Sequence, residues 1–588
     1  MNYIICTNLI KEKIGKNNIY LGTWALPDSK ILLYKQKKIN KFIWNNKKQF
    51  IKDSLYIKKI CLKLYHFFYL NLNKTHQSNF SIKFWKILLF PWLYYYISAL
   101  YFQWNCIKKI KKNNTFIFKK DLNKTRINYL ENHSLLIDDH WNQKSFQEII
   151  IFQKKKYIFQ KELSKKNYFL YNEFFFIKLF LFFFPTFVFK ILNYFISLSK
   201  INNVLFIDTA YSENSSLPLF QKYKLKIYFK YLLNKLNPLF VKSGLSERSK
   251  RNIFKYLFLK SYSCKDKFEI FLKNKISDDM PNYLLEDFKN YLNRNIKLND
   301  SKIIISAYSL HSIFSNKFYI AEQVNKGAKL YLMEHGGSLP CKKEELGLDL
   351  DIVDKKITWY KPIYSKHFQL PTHPFYFNKL INQNTNYKTN QDCIFIGPGD
   401  YKYIWNSTYN LKPPQLIEKL DNIKKLYNFL PNNIKIRTFI KPHEGYTHES
   451  SHDLIKFYKK IFNKKIIRNR SLEDCIVNSK LVICTYPETT FAISMYSFVP
   501  TILIYNRSHY IFHKKANSLI KKLIENKIIF YDPKIAALHI NKVWDNPGTW
   551  YNSTEVKKAR NLFLKTALGI KFPRDFKEEI KKWNSILK

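Results

Sequence analysis

The chain has 588 residues, 46% of them hydrophobic, and a formal net charge of +55. That length predicts several domains with real cores. The charge comes from lysines spread along the whole chain, in a Lys-, Asn-, Ile-, Phe- and Tyr-rich composition of the kind an AT-rich genome produces. No RRM, KH, zinc-finger or helix-turn-helix signature accompanies it, which argues against nucleic acid and for peripheral attraction to an anionic inner membrane.

The eight cysteines form no CxxC pair and no metal-ligand cluster. They read as buried thiols of a reducing compartment. Met1–Ile10 is too short for a signal peptide and is followed by mixed charge, so a cytoplasmic protein is expected.

In chain order, Asn18–Trp24 (NIYLGTW) predicts a first strand ending in a glycine turn. Residues from about 40 to 200 have mostly helical periodicity. Within them, Lys83–Cys106 and Phe174–Leu198 approach the roughly 20 apolar residues of a membrane span. Lys86, Pro91 and Gln103 in the first, and Lys178 and Pro185 in the second, favour buried or interfacial helices. DDHWN at 138–142 is a polar–aromatic cluster that also fits a helix N-cap with a packed Trp.

From Asn203 an α/β alternation returns, with strands at 204–208, 302–306, 328–333 and 356–359 and a helix at 312–326. A Pro-, Asn- and Thr-rich stretch at about 370–390 predicts a domain boundary. A second unit follows: a strand at 392–396 ending in GPGD, a helix at about 414–430, a strand at 434–440 ending in KPHEG, and a helix opened by Ser471. KLVICTYPETTFAISMYSFVPTILIY at 480–505 then reads as strand, loop, helix, strand. Helical patterns at about 513–526, 533–544, 553–569 and 573–586 close the chain.

Three motifs lie at predicted strand ends, where open α/β sheets bind ligands. In EHGG, His335 suits a general base at neutral pH, with Glu334 to orient it and Gly336 and Gly337 leaving backbone open to a ligand; a simple turn fits the same residues. In RTFIKPHEG, Lys441, His443 and Arg437 suit a diphosphate, and Glu444 suits sugar or ribose hydroxyls. In TYPETT, Thr485, Glu488, Thr489 and Thr490 open a helix whose N-terminus attracts phosphate, unless the threonines only cap it. There is no GxxxxGK[ST], GxSxG, HExxH or kinase signature, and no DxD pair at a strand end.

The chain resembles the LIC-type transferase family of bacterial surface-carbohydrate biosynthesis. The resemblance rests on LGTW at 21–24, FWKILLFPWL at 84–93, DDHWN at 138–142, HGG at 335–337, RTFIKPHEGY at 437–446, the TYPETT segment and the tail at 536–560, all in order. It departs at Phe90, where that family has Gly, and at KPHEGY, where a YPxDYGW-like segment is commoner. The family is similar to GT-B glycosyltransferases and, more distantly, to CDP-glycerol-dependent glycerophosphotransferases. The resemblance implies His335 as base and Lys441, His443, Thr489 and Thr490 as phosphate clamp, with no metal and no cofactor. It places Gly22, Trp24, Asp138, Trp141 and Asn142 on the acceptor side.

The expectation is therefore an α/β, GT-B-like protein with two Rossmann-like domains facing a cleft. Residues 1–380 would form an acceptor domain with a helical insertion at about 40–200, and residues 385–588 the nucleotide-donor domain. The expected activity is sugar transfer from a nucleotide-sugar to a surface polysaccharide or lipid-linked acceptor. Alternatives are a CDP-polyol-type phosphotransferase and a non-enzymatic basic scaffold for anionic polymer or membrane.

Overall fold

A computed structural model describes residues 2–10, 18–27, 38–119, 136–160, 204–207, 228–229, 249–293, 301–307, 310, 314–334, 343–370, 392–404, 406–407, 412–443, 451–463, 465–570, 578 and 581–582. Its strands form three sheets among the described residues, and every strand pairing is parallel. Parallel strands need crossover connections and cover on both faces, which is why the central strands are unbroken apolar runs.

The first sheet has the order β3-β2-β1-β4-β5. Its strands are β1 Tyr3–Ile5, β2 Asn18–Tyr20, β3 Lys38–Ile39, β4 Thr115–Lys119 and β5 Tyr157–Gln160. Two sequence expectations change here. The first strand is Tyr3–Ile5, not Asn18 onward, and it is the centre of the sheet. The segment from 40 to 200 contributes β4 and β5 as well as helices. Both strands are too short for alternation to mark them against the long helical periods alongside.

Those helices are α1 Lys47–His76, α2 Ile82–Leu89, α3 Trp92–Lys109 and α4 Asp139–Phe152. Side chains of Asn46, Ser81 and Asp138 cap α1, α2 and α4. Lys83–Cys106 forms buried helices: Trp85, Trp92, Tyr94, Tyr96 and Ile97 are essentially inaccessible. Pro91 separates α2 from α3. No described helix is long and apolar enough to cross a membrane. Phe174–Leu198 lies outside the described residues.

The second sheet runs β11-β10-β9-β8-β6-β7. It comprises β6 Val204–Ile207, β7 Tyr228–Phe229, β8 Ile303–Ser306, β9 Lys329–Met333, β10 Lys355–Thr358 and β11 His367–Gln369, with α5 Phe314–Asn325 between β8 and β9. One continuous hydrophobic core joins the first two sheets.

The third sheet runs β13-β12-β14-β15-β16. Its strands are β12 Cys393–Ile396, β13 Thr438–Lys441, β14 Leu481–Cys484, β15 Thr501–Ile504 and β16 Ile529–Phe530. A separate core covers each of its faces, one of them including α6 Leu416–Phe429 and the other α7 Thr489–Tyr496. The expected strand at 434–440 begins later. Pro431 opens a helical turn at Asn432–Ile436, which buries Ile434 before the chain extends at Thr438. The boundary expected between 380 and 385 falls in 371–391, outside the described residues.

Gly22 ends β2 in extended backbone, and a Cβ there would lie 1.9 Å from the Trp24 ring. That indole donates to the Cys6 carbonyl at 3.0 Å and stacks with Phe146. Gly22→Ala must therefore displace Trp24, and we expect a loss of about 1–3 kcal/mol. A lower midpoint in denaturant unfolding would register it; an unchanged midpoint would mean the ring relaxes freely.

Candidate functional site

From β12 the chain passes to β13 on one side, then crosses to β14 on the other, so the sheet's topological switch lies between β12 and β14. Thr485 pins the two strand ends together, its hydroxyl donating to the Ile396 carbonyl at 2.8 Å. Gly397 leaves β12 where a Cβ would meet the Tyr458 hydroxyl oxygen at 2.6 Å and the Lys441 carbonyl at 3.3 Å. Glycine is thus the residue that lets the loop Gly397–Asp400 turn over the sheet.

On the β14 side, α7 has Glu488 as N-cap, and the Glu488 side chain makes no capping hydrogen bond. Thr489 and Thr490 are the first helical residues, so they do not cap the helix. Thr490 instead hydrogen-bonds the Tyr486 hydroxyl at 2.8 Å. The first N–H groups of α7 therefore have no side-chain cap, the condition that suits a helix N-terminus to an anion.

Two lysines that sequence patterning did not single out come to the same place. Lys412 precedes α6 and Lys419 lies in its first turns; they are 3% and 5% exposed. Lys412 lies over the Phe50 ring at 4.6 Å. Lys419 lies over Tyr486 at 4.9 Å and donates to the Tyr510 hydroxyl at 3.1 Å. Burial lowers both pKa values, to about 7 for Lys412 and about 8 for Lys419, with Asp400 and Glu488 only partly offsetting it. Lys275 is a contrast: burial lowers its pKa too, but Asp279 at 2.9 Å and Glu148 outweigh it and hold it above the usual value. In a chain with 99 Lys and Arg, only the seven-residue spacing of Lys412 and Lys419 around a helix start could have marked them.

This site sits where the first and third sheets meet. Thr23, just past β2, donates to the Pro414 carbonyl at 3.0 Å. Gln415 donates to Asn45 at 2.8 Å, and Asn45 donates to Glu418 at 3.2 Å. Glu418 in turn pairs with His509 at 2.9 Å. The loop after β12 reaches the other way. Tyr403 contacts Asp139, and the Ser407 hydroxyl donates to Tyr94 at 2.8 Å while its carbonyl accepts from Ser54 at 3.1 Å.

The other sequence-derived residues divide. Lys441 is buried at the end of β13 and donates to the Arg468 carbonyl at 3.3 Å; His443 is exposed two residues on. Arg437 lies at the opposite end of β13, beside Asp392 at 3.4 Å, so β13 separates it from Lys441. Glu334 follows β9 and pairs with Lys356 at 2.8 Å. Lys356 also holds Glu344 at 2.9 Å, and Glu344 meets His367 at 3.1 Å and Tyr360 at 2.9 Å. Burial alone would raise the Glu344 pKa, but Lys356 and His367 hold it below the usual value. His335, Gly336, Gly337 and Glu444 lie outside the described residues.

Of the residues that the resemblance places on the acceptor side, Gly22, Trp24, Trp141 and Asn142 are buried and Asp138 is half-buried. Asp138 caps α4 by accepting from the Trp141 N–H at 2.7 Å. Trp141 donates to Asp279 at 3.3 Å, and Asn142 bonds Gln103, the Leu136 carbonyl and the Asp138 carbonyl, each at 2.8 Å. Gly22 and Trp24 pack together as described. From this motif it is Asp139, through Tyr403, that reaches the switch-point loop.

Among solved structures, the chain is similar to an α,α-trehalose-phosphate synthase (UDP-forming) from Burkholderia vietnamiensis. The two are 9% identical with a TM-score of 0.29, over 51% of this chain and 79% of that one. A trehalose-6-phosphate synthase, OtsA, gives 10% identity and a TM-score of 0.30 over 51% and 76%. No curated protein matches. The model of the LIC12162 family transferase matches residues 3–587, and the chain belongs to that family of transferases.

Proposed function

We propose that the protein is a GT-B-like glycosyltransferase that takes a sugar from a nucleotide-sugar donor and passes it to a surface polysaccharide or lipid-linked acceptor. Residues 385–588 bind the donor and residues 1–380 the acceptor, on the cytoplasmic face of the membrane. The observation that carries this reading is the buried pair Lys412 and Lys419 at a topological switch point, beside the uncapped N-terminus of α7.

A departing nucleoside diphosphate is a compact double anion. It fits a place where two ammonium groups have lost water and their two carboxylate neighbours only partly replace it. These cations, with Lys441 and His443 nearby along the same strand ends, neutralise the developing charge without calling on a metal. In the reaction, the acceptor hydroxyl oxygen bonds to the anomeric carbon as the bond to the diphosphate breaks. His335 takes the hydroxyl proton. A polyol phosphate carried on CDP would use the same clamp, so the nucleotide preferred in binding assigns the donor class.

Lys412→Met and Lys419→Met should each weaken nucleoside diphosphate binding about 10–100-fold in calorimetry, as loss of a charge-assisted hydrogen bond would. The same variants should keep or raise the thermal midpoint, because an apolar chain replaces a desolvated cation. Unchanged affinity for CDP, UDP, GDP and dTDP in both variants would remove the lysines from the site.

Binding also depends on pH. The folded-state pKa values lie below the unfolded value of ~10.4, so the pair costs stability at neutral pH and below, and that cost disappears as pH rises. Binding an anion needs both lysines protonated, so affinity should fall as pH rises from about 7 to about 9. A pH-independent dissociation constant would contradict this.

His335→Ala should abolish turnover while leaving nucleotide affinity within about twofold, since a base contributes on the order of 10²–10⁴ to rate and nothing to diphosphate binding. Retained turnover would reject His335 as the base.

A further inference from the structure

The far corner of the first sheet exposes apolar and cationic side chains together. Ile151 and Phe152 end α4, and Tyr157, Ile158 and Phe159 lie on β5; they are 36–48% exposed. Single exposed apolar residues are ordinary, but five within one short stretch at a sheet edge form a patch. Tyr157 and Phe159 share one face of β5 and Ile158 takes the other. Phe152 packs its inner edge on Trp104 and Phe271, which fixes the patch to the core.

Lysines surround it. Lys154, Lys155 and Lys156 join α4 to β5, and Lys108, Lys109, Lys111 and Lys112 end α3 and follow it. The two stretches touch: the Lys155 ammonium donates to the Ile110 carbonyl, and the Phe116 N–H donates to the Lys156 carbonyl at 2.9 Å. No Asp or Glu occurs in 107–119 or 149–160. Three carboxylates flank the α4 end of the patch, each engaged by a lysine: Glu148 and Asp279 by Lys275, and Asp278 by Lys255.

We propose that this corner is a docking surface for an anionic lipid bilayer, with the lysines on headgroup phosphates and the exposed side chains of β5 and Phe152 in the interfacial layer. The chemistry selects this occupant. A soluble polyanion would use the lysines but gain nothing from the apolar side chains. A second copy of the chain pairing across the β5 edge would set two lysine clusters against each other. An anionic bilayer rewards both features at once. The inference does not depend on the transferase reading.

The test is co-sedimentation of the full-length protein with phosphatidylcholine vesicles, with and without phosphatidylglycerol. Three variants are compared with wild type. One carries Lys111→Glu, Lys112→Glu and Lys154→Glu; one carries Ile158→Ser and Phe159→Ser; a control carries Lys522→Glu, Lys534→Glu and Lys557→Glu at exposed sites in the C-terminal part. Wild type should pellet with the anionic vesicles only. The patch lysine variant should lose roughly fivefold in partition per lysine. The serine variant should lose binding with its thermal midpoint unchanged, and the control should bind like wild type. Equal loss in the control would overturn the proposal in favour of net charge alone. Undiminished binding by the serine variant, or a change in its oligomeric state instead of its vesicle binding, would overturn it in favour of a polyanion or a second copy.

Discussion

An ammonium group removed from water loses hydration that apolar packing does not replace. At the open end of the third sheet the fold does this twice within one turn and a half of chain on either side of a helix start. The residues around Lys412 and Lys419 are arranged by that demand. Asp400 comes from the loop after β12, Glu488 from the N-cap of α7, and aromatic walls from Phe50, Tyr486 and Tyr510. Other described lysines are buried against carboxylates or carbonyls. Lys356 sits between two carboxylates at 2.8 and 2.9 Å, and Lys317 donates to the Phe90 carbonyl at 2.7 Å where α2 gives way to α3. Those pairs hold elements together. The strand-end pair lies at a place where parallel sheets present ligands.

The first sheet explains why that pair is enclosed. It carries α1 and α3 across the junction, so that Phe50 covers Lys412 and Ser54, Tyr94 and Ser98 hold the loop that follows β12. Its own strand ends meet the start of α6 through Thr23 and Asn45. The aromatic richness of the first part of the chain is used in packing: Trp24, Trp44, Trp85, Trp92 and Trp141 are all buried. Their indole N–H groups bind carbonyls and carboxylates inside the fold where they have partners, as in Trp24 with Cys6 and Trp44 with Asp53.

Much of this order was legible in the residues. LVIC and TILI announced buried parallel strands because parallel sheets bury both faces, and Ser471 and Glu488 marked helix starts. KPH sits at the end of β13 and TYPETT follows β14, on either side of β12. What patterning missed has physical causes. Tyr3–Ile5 is a three-residue strand whose place at the sheet centre is set by pairing with β2 and β4, which local sequence does not encode. Trp141 and Asn142 fit the helix start with a packed Trp that the sequence also allows, their polar atoms bonding Asp279, Gln103 and backbone carbonyls. Lys412 and Lys419 were hidden by abundance: what distinguishes a buried lysine is tertiary, and no local pattern carries it.

The most direct measurement is a crystal structure of the protein with its preferred nucleoside diphosphate bound. The account predicts phosphate oxygens within hydrogen-bond distance of the Nζ atoms of both Lys412 and Lys419 and at the first N–H groups of α7. A diphosphate bound elsewhere, out of hydrogen-bond distance of both Nζ atoms, would contradict it.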